Sequence, residues 1–189
     1  MSPLASTDER QPELVVRKVR SADPWRIGRN WAGAPGVPSA CLVDFADRES
    51  NLSVFEVVSD EGIYETVVAV WLGGNSERKT IPGDLAAIVF NPPAAPGPRL
   101  TKEPTEDMHA SFSDLRWEYK TLTVGQAASV IDAIADGVAA SSASANSAGL
   151  LELDRTGVAQ AVIALSESGR ASVGTELLQA ARKKVPPQV

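Results

Sequence analysis

His109 is the residue with the most evident capacity for chemistry, because it is the only histidine in the chain and follows two acids closely. Glu106 and Asp107 can orient its ring, and a histidine held by a carboxylate can act as a general acid or base. Ser111 and Ser113 offer hydroxyl groups to such a base. Because no serine lies in a Gly-x-Ser-x-Gly sequence, the pattern favours a charge-paired surface histidine over a catalytic one.

A second concentration of chemically useful side chains lies between residues 25 and 31. Tryptophan and arginine are the residue types most enriched at binding hot spots. Proline and glycine are frequent from 23 to 38, so the segment is expected to be a loop. The alternative is that its two tryptophans fold back as a cover over the sheet. The candidate binding residues are Trp25, Arg26, Arg29 and Trp31.

The remaining motifs predict neither a cofactor nor a metal ion. Residues 73–80 have the outline of a phosphate-binding loop, but Arg78 stands where glycine is needed and Pro82 prevents the following helix. Cys41 is the only cysteine and lies in an apolar run, where a thiol stays protonated and buried. The acids between 44 and 49 lack the glycine and the terminal glutamate of a calcium loop.

The charge of the chain restricts its partners. The formal net charge is −6, which creates a field that repels nucleic acid and anionic lipid. The longest apolar stretch, 67–72, is far shorter than the ~18 residues of a membrane span. Residues 1–11 contain no apolar run of the kind found in a signal peptide. We therefore expect a cytoplasmic protein that binds neither nucleic acid nor membrane.

Short apolar and alternating runs predict the strands that must position these side chains. Leu115, Trp117 and Tyr119 alternate with charged residues, as in a strand with one buried face. Residues 60–72 are predicted to form a helix that ends at a glycine pair, although their β-branched residues also suit a buried strand. Other strands are predicted at 13–20, 40–45, 52–58 and 85–90, with 40–45 and 52–58 forming a hairpin.

The clearest predicted helix runs from 124 to 138, because Thr123 and Gln126 form a capping-box pair at its start. Residues 139–149 are only Ala, Ser, Asn and Gly, a composition typical of a flexible linker. The helix period places a set of apolar residues on one face, which is expected to contact the core. These residues are Val124, Ala127, Ala128, Ile131, Ile134, Ala135 and Val138.

Two short helices are predicted after the linker, at 156–167 and 173–184, with Gly169 as the C-cap of the first and Ser172 as the N-cap of the second. Such short helices are marginal alone, so they must pack on the main body or on another chain. The fold class is α+β, with a small mostly antiparallel sheet, one or two helices and a C-terminal helical pair. The predicted units are a 1–12 N-terminal tail, a 13–138 α+β domain, the 139–149 linker and the 150–185 helical pair.

The function that these features favour is a non-catalytic cytosolic protein-binding module, such as an adaptor, a chaperone or an immunity-type inhibitor. Its partner would carry a basic surface, because complementary charge speeds encounter. That partner would be another protein, or a second copy bound through the C-terminal helices. One alternative is a small hydrolase or transferase that uses His109 with a neighbouring carboxylate. The other is a homo-oligomeric structural component.

Overall fold

The computed structural model describes residues 10–20, 22, 25, 51–73, 78–142, 144 and 146–185. Within these ranges, seven strands form one sheet: β1 (Val15–Val19), β2 (Leu52–Glu56), β3 (Asp84–Phe90), β4 (Thr101–Lys102), β5 (Arg116–Tyr119), β6 (Ser141–Ser142) and β7 (Gly149–Asp154). Their order across the sheet is β4-β5-β2-β1-β3-β7-β6. Every neighbouring pair is antiparallel except the short β6–β7 pair. The mostly antiparallel sheet confirms the predicted α+β class.

Five helices accompany the sheet in the described residues: α1 (Asp60–Gly73), α2 (Ala110–Ser113), α3 (Val124–Ala140), α4 (Arg155–Glu167) and α5 (Thr175–Arg182). The first of them settles the choice between helix and strand for residues 60–72 in favour of helix, as predicted. The long loop after β3 is interrupted by β4, which sequence analysis did not predict.

Capping side chains explain where several of these helices begin. The Ser59 hydroxyl accepts a hydrogen bond from the Gly62 amide at 3.0 Å ahead of α1. Thr123 and Gln126 form the predicted capping box of α3. Gly169 has φ +69° just after α4, a conformation that costs glycine little. The predicted N-cap at Ser172 is wrong, since the N-cap of α5 is Gly174, two residues later.

The start of α5 is delayed by the way the chain leaves α4. The amides of Arg170 and Ala171 both turn back to the Leu165 carbonyl, at 2.9 and 3.1 Å. The chain therefore needs extended residues before a new helix can start, and Gly174, with φ −62° and ψ 144°, takes the N-cap position.

Each face of the sheet carries its own core. One face packs against α1, α4 and α5, and its central strand contributes Ala87 and Val89. The other face packs against α3, and the same strand contributes Ile88 and Phe90 to it. This alternation follows from the pleat of β3, which is buried on both sides. The sheet is thus the middle of three layers.

β7 ties the C-terminal part of the chain to this sheet, and sequence analysis missed it. It pairs with β3 from Asp84↔Asp154 to Val89↔Gly149. The predicted 13–138 domain and 150–185 helical pair consequently share one sheet. α4 packs on α1 and on α5, so the chain's own main body supplies a docking surface for the C-terminal pair.

Candidate functional site

His109 lies at the N-cap of the four-residue helix α2. Its backbone, with φ −58° and ψ 144°, leaves the helical region and turns the ring back over the first turn. The ring nitrogen Nδ1 accepts a hydrogen bond from the Ser111 amide at 3.2 Å. Because Nδ1 is an acceptor here, the hydrogen of the neutral ring is assigned to Nε2.

The Ser111 hydroxyl joins the histidine to a distant part of the chain. Its Oγ lies 2.8 Å from His109 Nδ1 and 3.2 Å from Arg170 Nε. Arginine Nε–H can only donate, so it occupies a lone pair of Oγ. The hydroxyl hydrogen is then free to point at Nδ1. Sequence analysis named Ser111 as a hydroxyl near a possible base, but it missed Arg170.

Arg170 is held from three sides, which fixes the direction of its Nε–H. Its Nη1 forms an ion pair with Glu65 of α1, and both side chains are largely buried, at 30% and 26% exposed. Its guanidinium carbon also lies 4.6 Å from the centre of the Phe112 ring, in a cation–π contact. The residue directly follows Gly169, whose positive φ ends α4 and turns the chain toward α2.

His109, Phe112 and Arg170 border a cleft of about 360 Å³ between α1, α2 and the α4–α5 turn. The predicted carboxylates Glu106 and Asp107 line the same cleft as His109. In the part of the chain that the structure describes, however, the His109 ring is hydrogen-bonded to Ser111 and to neither carboxylate. The apolar lining comes from Ala69, Leu72, Met108, Phe112 and Ala171.

Trp25 lies on the opposite face of the sheet from this cleft. Its side chain is 2% exposed and belongs to the core that α3 covers. Its amide donates to the Ala22 carbonyl at 3.0 Å. The other predicted binding residues, Arg26, Arg29 and Trp31, lie outside the described residues, as do Cys41 and the predicted strand at 40–45.

The glycine-rich segment at 73–80 is described only in part. Arg78 donates from Nε to the Trp71 carbonyl at 2.9 Å and stacks 4.6 Å from the Trp71 ring centre. It therefore caps the end of α1, which has no basic residue in its own last turn. Residues 78–83, which the structure describes, contain no helix, and the strand β3 follows from Asp84.

The surface of α3 differs from the face that sequence analysis expected. The core receives Val130, Ile134 and Val138, whereas Val124 is 90% exposed. The predicted core face is therefore wrong at the start of the helix. Gly137 favours this orientation, because a Cβ there would lie 3.1 Å from the Val89 carbonyl oxygen, which is closer than ordinary van der Waals contact.

The side of α3 that faces solvent is weakly apolar and acidic. Val124 and Ala128 are exposed, and Ile131 is half-buried beside them. Asp132 and Asp136 are exposed on the same helix. From 121 to 154 the sequence contains four carboxylates and no Lys, Arg or His. Within the described residues, neither aspartate of α3 forms an ion pair.

Comparison with known proteins adds no functional assignment to this geometry. No protein-family model, no curated protein and no solved structure matches the chain. Among the described residues, no helix has the length and apolar character that crossing a bilayer requires. The candidate sites must therefore be judged on their own chemistry.

Proposed function

We propose that this protein is a protein-binding module, and that the outer face of α3 contacts a partner with a basic surface. The observation that carries the proposal is the 121–154 segment, which has carboxylates but no cation over its whole length. Complementary charge on a partner accelerates encounter and disfavours acidic competitors. The proposal keeps the function that the sequence favours and assigns it a surface.

The partner's chemistry follows from the side chains on this face. Val124 and Ala128 offer a shallow apolar stripe with room for the side chains of a second helix. Asp132 and Asp136 stand one turn apart and have no cation of their own chain to pair with among the described residues. An amphipathic helix with apolar residues flanked by Lys or Arg matches both features.

The C-terminal helices support this choice of surface by exclusion. Val158, Val162, Leu165 and Leu177 are buried in the chain's own core, so their apolar faces are already covered. A partner bound through α4 and α5 would have to contact their polar sides instead. The outer face of α3, in contrast, still has exposed apolar side chains that a partner can contact.

The experiment compares wild-type protein with D132K/D136K and with the control D114K/E61K. Asp114 and Glu61 are exposed and lie away from α3, and the control changes the net charge equally. The two variants therefore have the same net charge and the same long-range attraction to a basic partner. They differ only in the surface on which the charge changes. Tagged wild-type protein first captures candidate partners from its native cells, and each purified partner is then titrated calorimetrically.

We expect the partner to have a basic binding surface and to lose at least about tenfold in affinity with D132K/D136K, or ~1.4 kcal/mol. The control should bind within about threefold of wild type, and binding should weaken as salt rises from ~0.1 to ~0.5 M. Equal affinities of the two variants, an acidic partner, or no stoichiometric partner would each refute the proposal.

A further inference from the structure

A different part of the molecule has the arrangement of an activated serine. We propose that Ser111 is a nucleophile for acyl transfer, that His109 is its general base, and that the cleft beside them accepts a small ester. This inference is independent of the binding face on α3, which lies on the other side of the sheet.

The first argument is the direction of the Ser111 hydroxyl hydrogen. Arg170 Nε–H donates to Oγ at 3.2 Å, so the hydroxyl must donate elsewhere. His109 Nδ1 is an acceptor 2.8 Å away, within the distance that a nucleophile and its base require. The proton that must leave before attack can therefore be donated to Nδ1, whose single lone pair the hydroxyl shares with the Ser111 amide.

The second argument is the fixed positive charge beside the nucleophile. The Arg170 guanidinium stabilises the negative charge that Oγ gains as its proton leaves, because a charge-assisted hydrogen bond strengthens with that charge. The Glu65 ion pair and the stacking on Phe112 hold the group in place before any substrate binds. This preorganisation avoids a cost of reorientation during the reaction.

The cleft restricts the class of substrate. His109, Phe112 and Arg170, which surround Ser111, all line it, and its volume of about 360 Å³ suits a small molecule. Leu72 and Met108 make part of the wall apolar, which favours an aliphatic acyl group. Glu106 and Asp107 add negative charge, which disfavours anionic esters. We infer an uncharged ester with a short aliphatic acyl chain.

The reaction balances without any further reagent except water. Ser111 Oγ attacks the carbonyl carbon while its proton passes to His109 Nδ1, and the carbonyl electron pair moves to oxygen. The pair returns, the bond from carbon to the leaving alkoxy oxygen breaks, and Nδ1 gives its proton to that oxygen to release an alcohol. Water, deprotonated by the same Nδ1, then cleaves the acyl-serine ester to release the carboxylic acid.

The test uses the full chain and diisopropyl fluorophosphate, which phosphorylates activated serines with loss of fluoride. Intact mass and peptide mapping locate the adduct, and hydrolysis of 4-nitrophenyl butyrate provides a second measurement. The decisive variant is H109N, because asparagine is a favourable N-cap that preserves the start of α2 but removes the base. S129A is the control, since Ser129 is an exposed serine on α3 that donates to the Gly125 carbonyl.

We expect one adduct on wild-type protein, at Ser111, and none on S111A. H109N should keep the thermal midpoint of wild type and lose at least about 100-fold in labelling and hydrolysis rates, the usual contribution of a general base. S129A should match wild type. Absence of labelling at Ser111, or equal labelling of wild type and H109N, would refute the proposal. The hydrogen bonds of Ser111 would then serve only to hold the structure together.

Discussion

The two faces of the sheet are covered by helix layers that use charge differently. On one face, charged residues of α1, α4 and the chain around them are joined in ion pairs: Glu65–Arg170, Lys79–Glu176 and Arg182–Glu167. On the other face, α3 has two exposed aspartates that form no ion pair among the described residues. Both layers bury apolar side chains against the same strand, β3.

A charged residue can either join two segments of its own chain or remain available to a partner, and the two faces of the sheet show one case each. The Glu65–Arg170 pair links segments 105 residues apart, so it restricts how α1 and the α4–α5 turn sit on each other. Asp132 and Asp136 restrict nothing in the described chain, and their field is available to a partner. Because α3 packs on β3 and β7 through apolar residues, it can present such unpaired charge without weakening that attachment.

The largest effect is expected from glycine substitutions on the two sides of α3. Gly137→Ala places a Cβ 3.1–3.2 Å from the Val89 carbonyl, Ala148 and Phe90, so the helix or its neighbours must shift by a few tenths of an ångström. We expect a loss of about 1–2 kcal/mol in the free energy of unfolding, because overpacking exceeds the gain in helix propensity. Urea unfolding followed by tryptophan fluorescence measures it.

The matched control is Gly125→Ala, at which a Cβ has no neighbour within 4 Å. It should leave stability unchanged or raise it by up to about 1 kcal/mol, since alanine is the better helix former. If both substitutions stabilise the protein, α3 is not held tightly against β3, and the contrast between its inner and outer sides fails.

The second prediction compares a paired charge with an unpaired one. Arg170→Gln removes the ion pair with Glu65 and the stacking on Phe112, and we expect a loss of about 1–2 kcal/mol, between the values for exposed and buried pairs. Asp136→Asn should change stability by less than about 0.5 kcal/mol. Denaturant melts of both variants measure these losses, and melts of E65Q and E65Q/R170Q complete the double-mutant cycle that gives the coupling energy of Glu65 and Arg170. Equal losses from the two single substitutions would contradict the comparison.

Local sequence signals predicted the elements whose cause is local. The capping box at Thr123 and Gln126 and the alternation of Trp117 and Tyr119 lie where short-range patterns placed them. Each depends on residues a few positions apart, so the sequence alone contains the information. The predicted C-cap at Gly169 is one residue late, since Ser168 is the C-cap and Gly169 is the positive-φ residue that follows it.

Features that depend on distant residues could not be predicted in this way. β7 follows a stretch of small residues and pairs with β3, more than fifty residues earlier. Arg170 meets Ser111 across 59 residues, and no local pattern links them. The sequence of α3 offers two overlapping apolar stripes, and the close approach at Gly137 selects the one that is buried. Tertiary packing, which periodicity does not encode, decides each case.

The smallest change in stability is expected at Tyr119, which lies in the core under α3 and tests how apolar that core is. Its side chain is 0% exposed, and its hydroxyl has no hydrogen-bond partner among the described residues. Burial therefore raises the pKa of the phenol above its ordinary value of 10.0. Because the folded state holds the proton more tightly than the unfolded state, stability should fall as the pH rises above about 10.

Tyr119→Phe removes both the unpartnered hydroxyl and this titration. We expect unchanged stability or a gain of up to about 1 kcal/mol at neutral pH, since phenylalanine fills the same space without a polar group. Above pH ~10 the variant should lose less stability than wild type, because its unfolded state has no phenol to ionise at this position. A loss of more than about 1 kcal/mol at neutral pH would mean that the hydroxyl has a partner, and that the core under α3 is more polar than the core under α1.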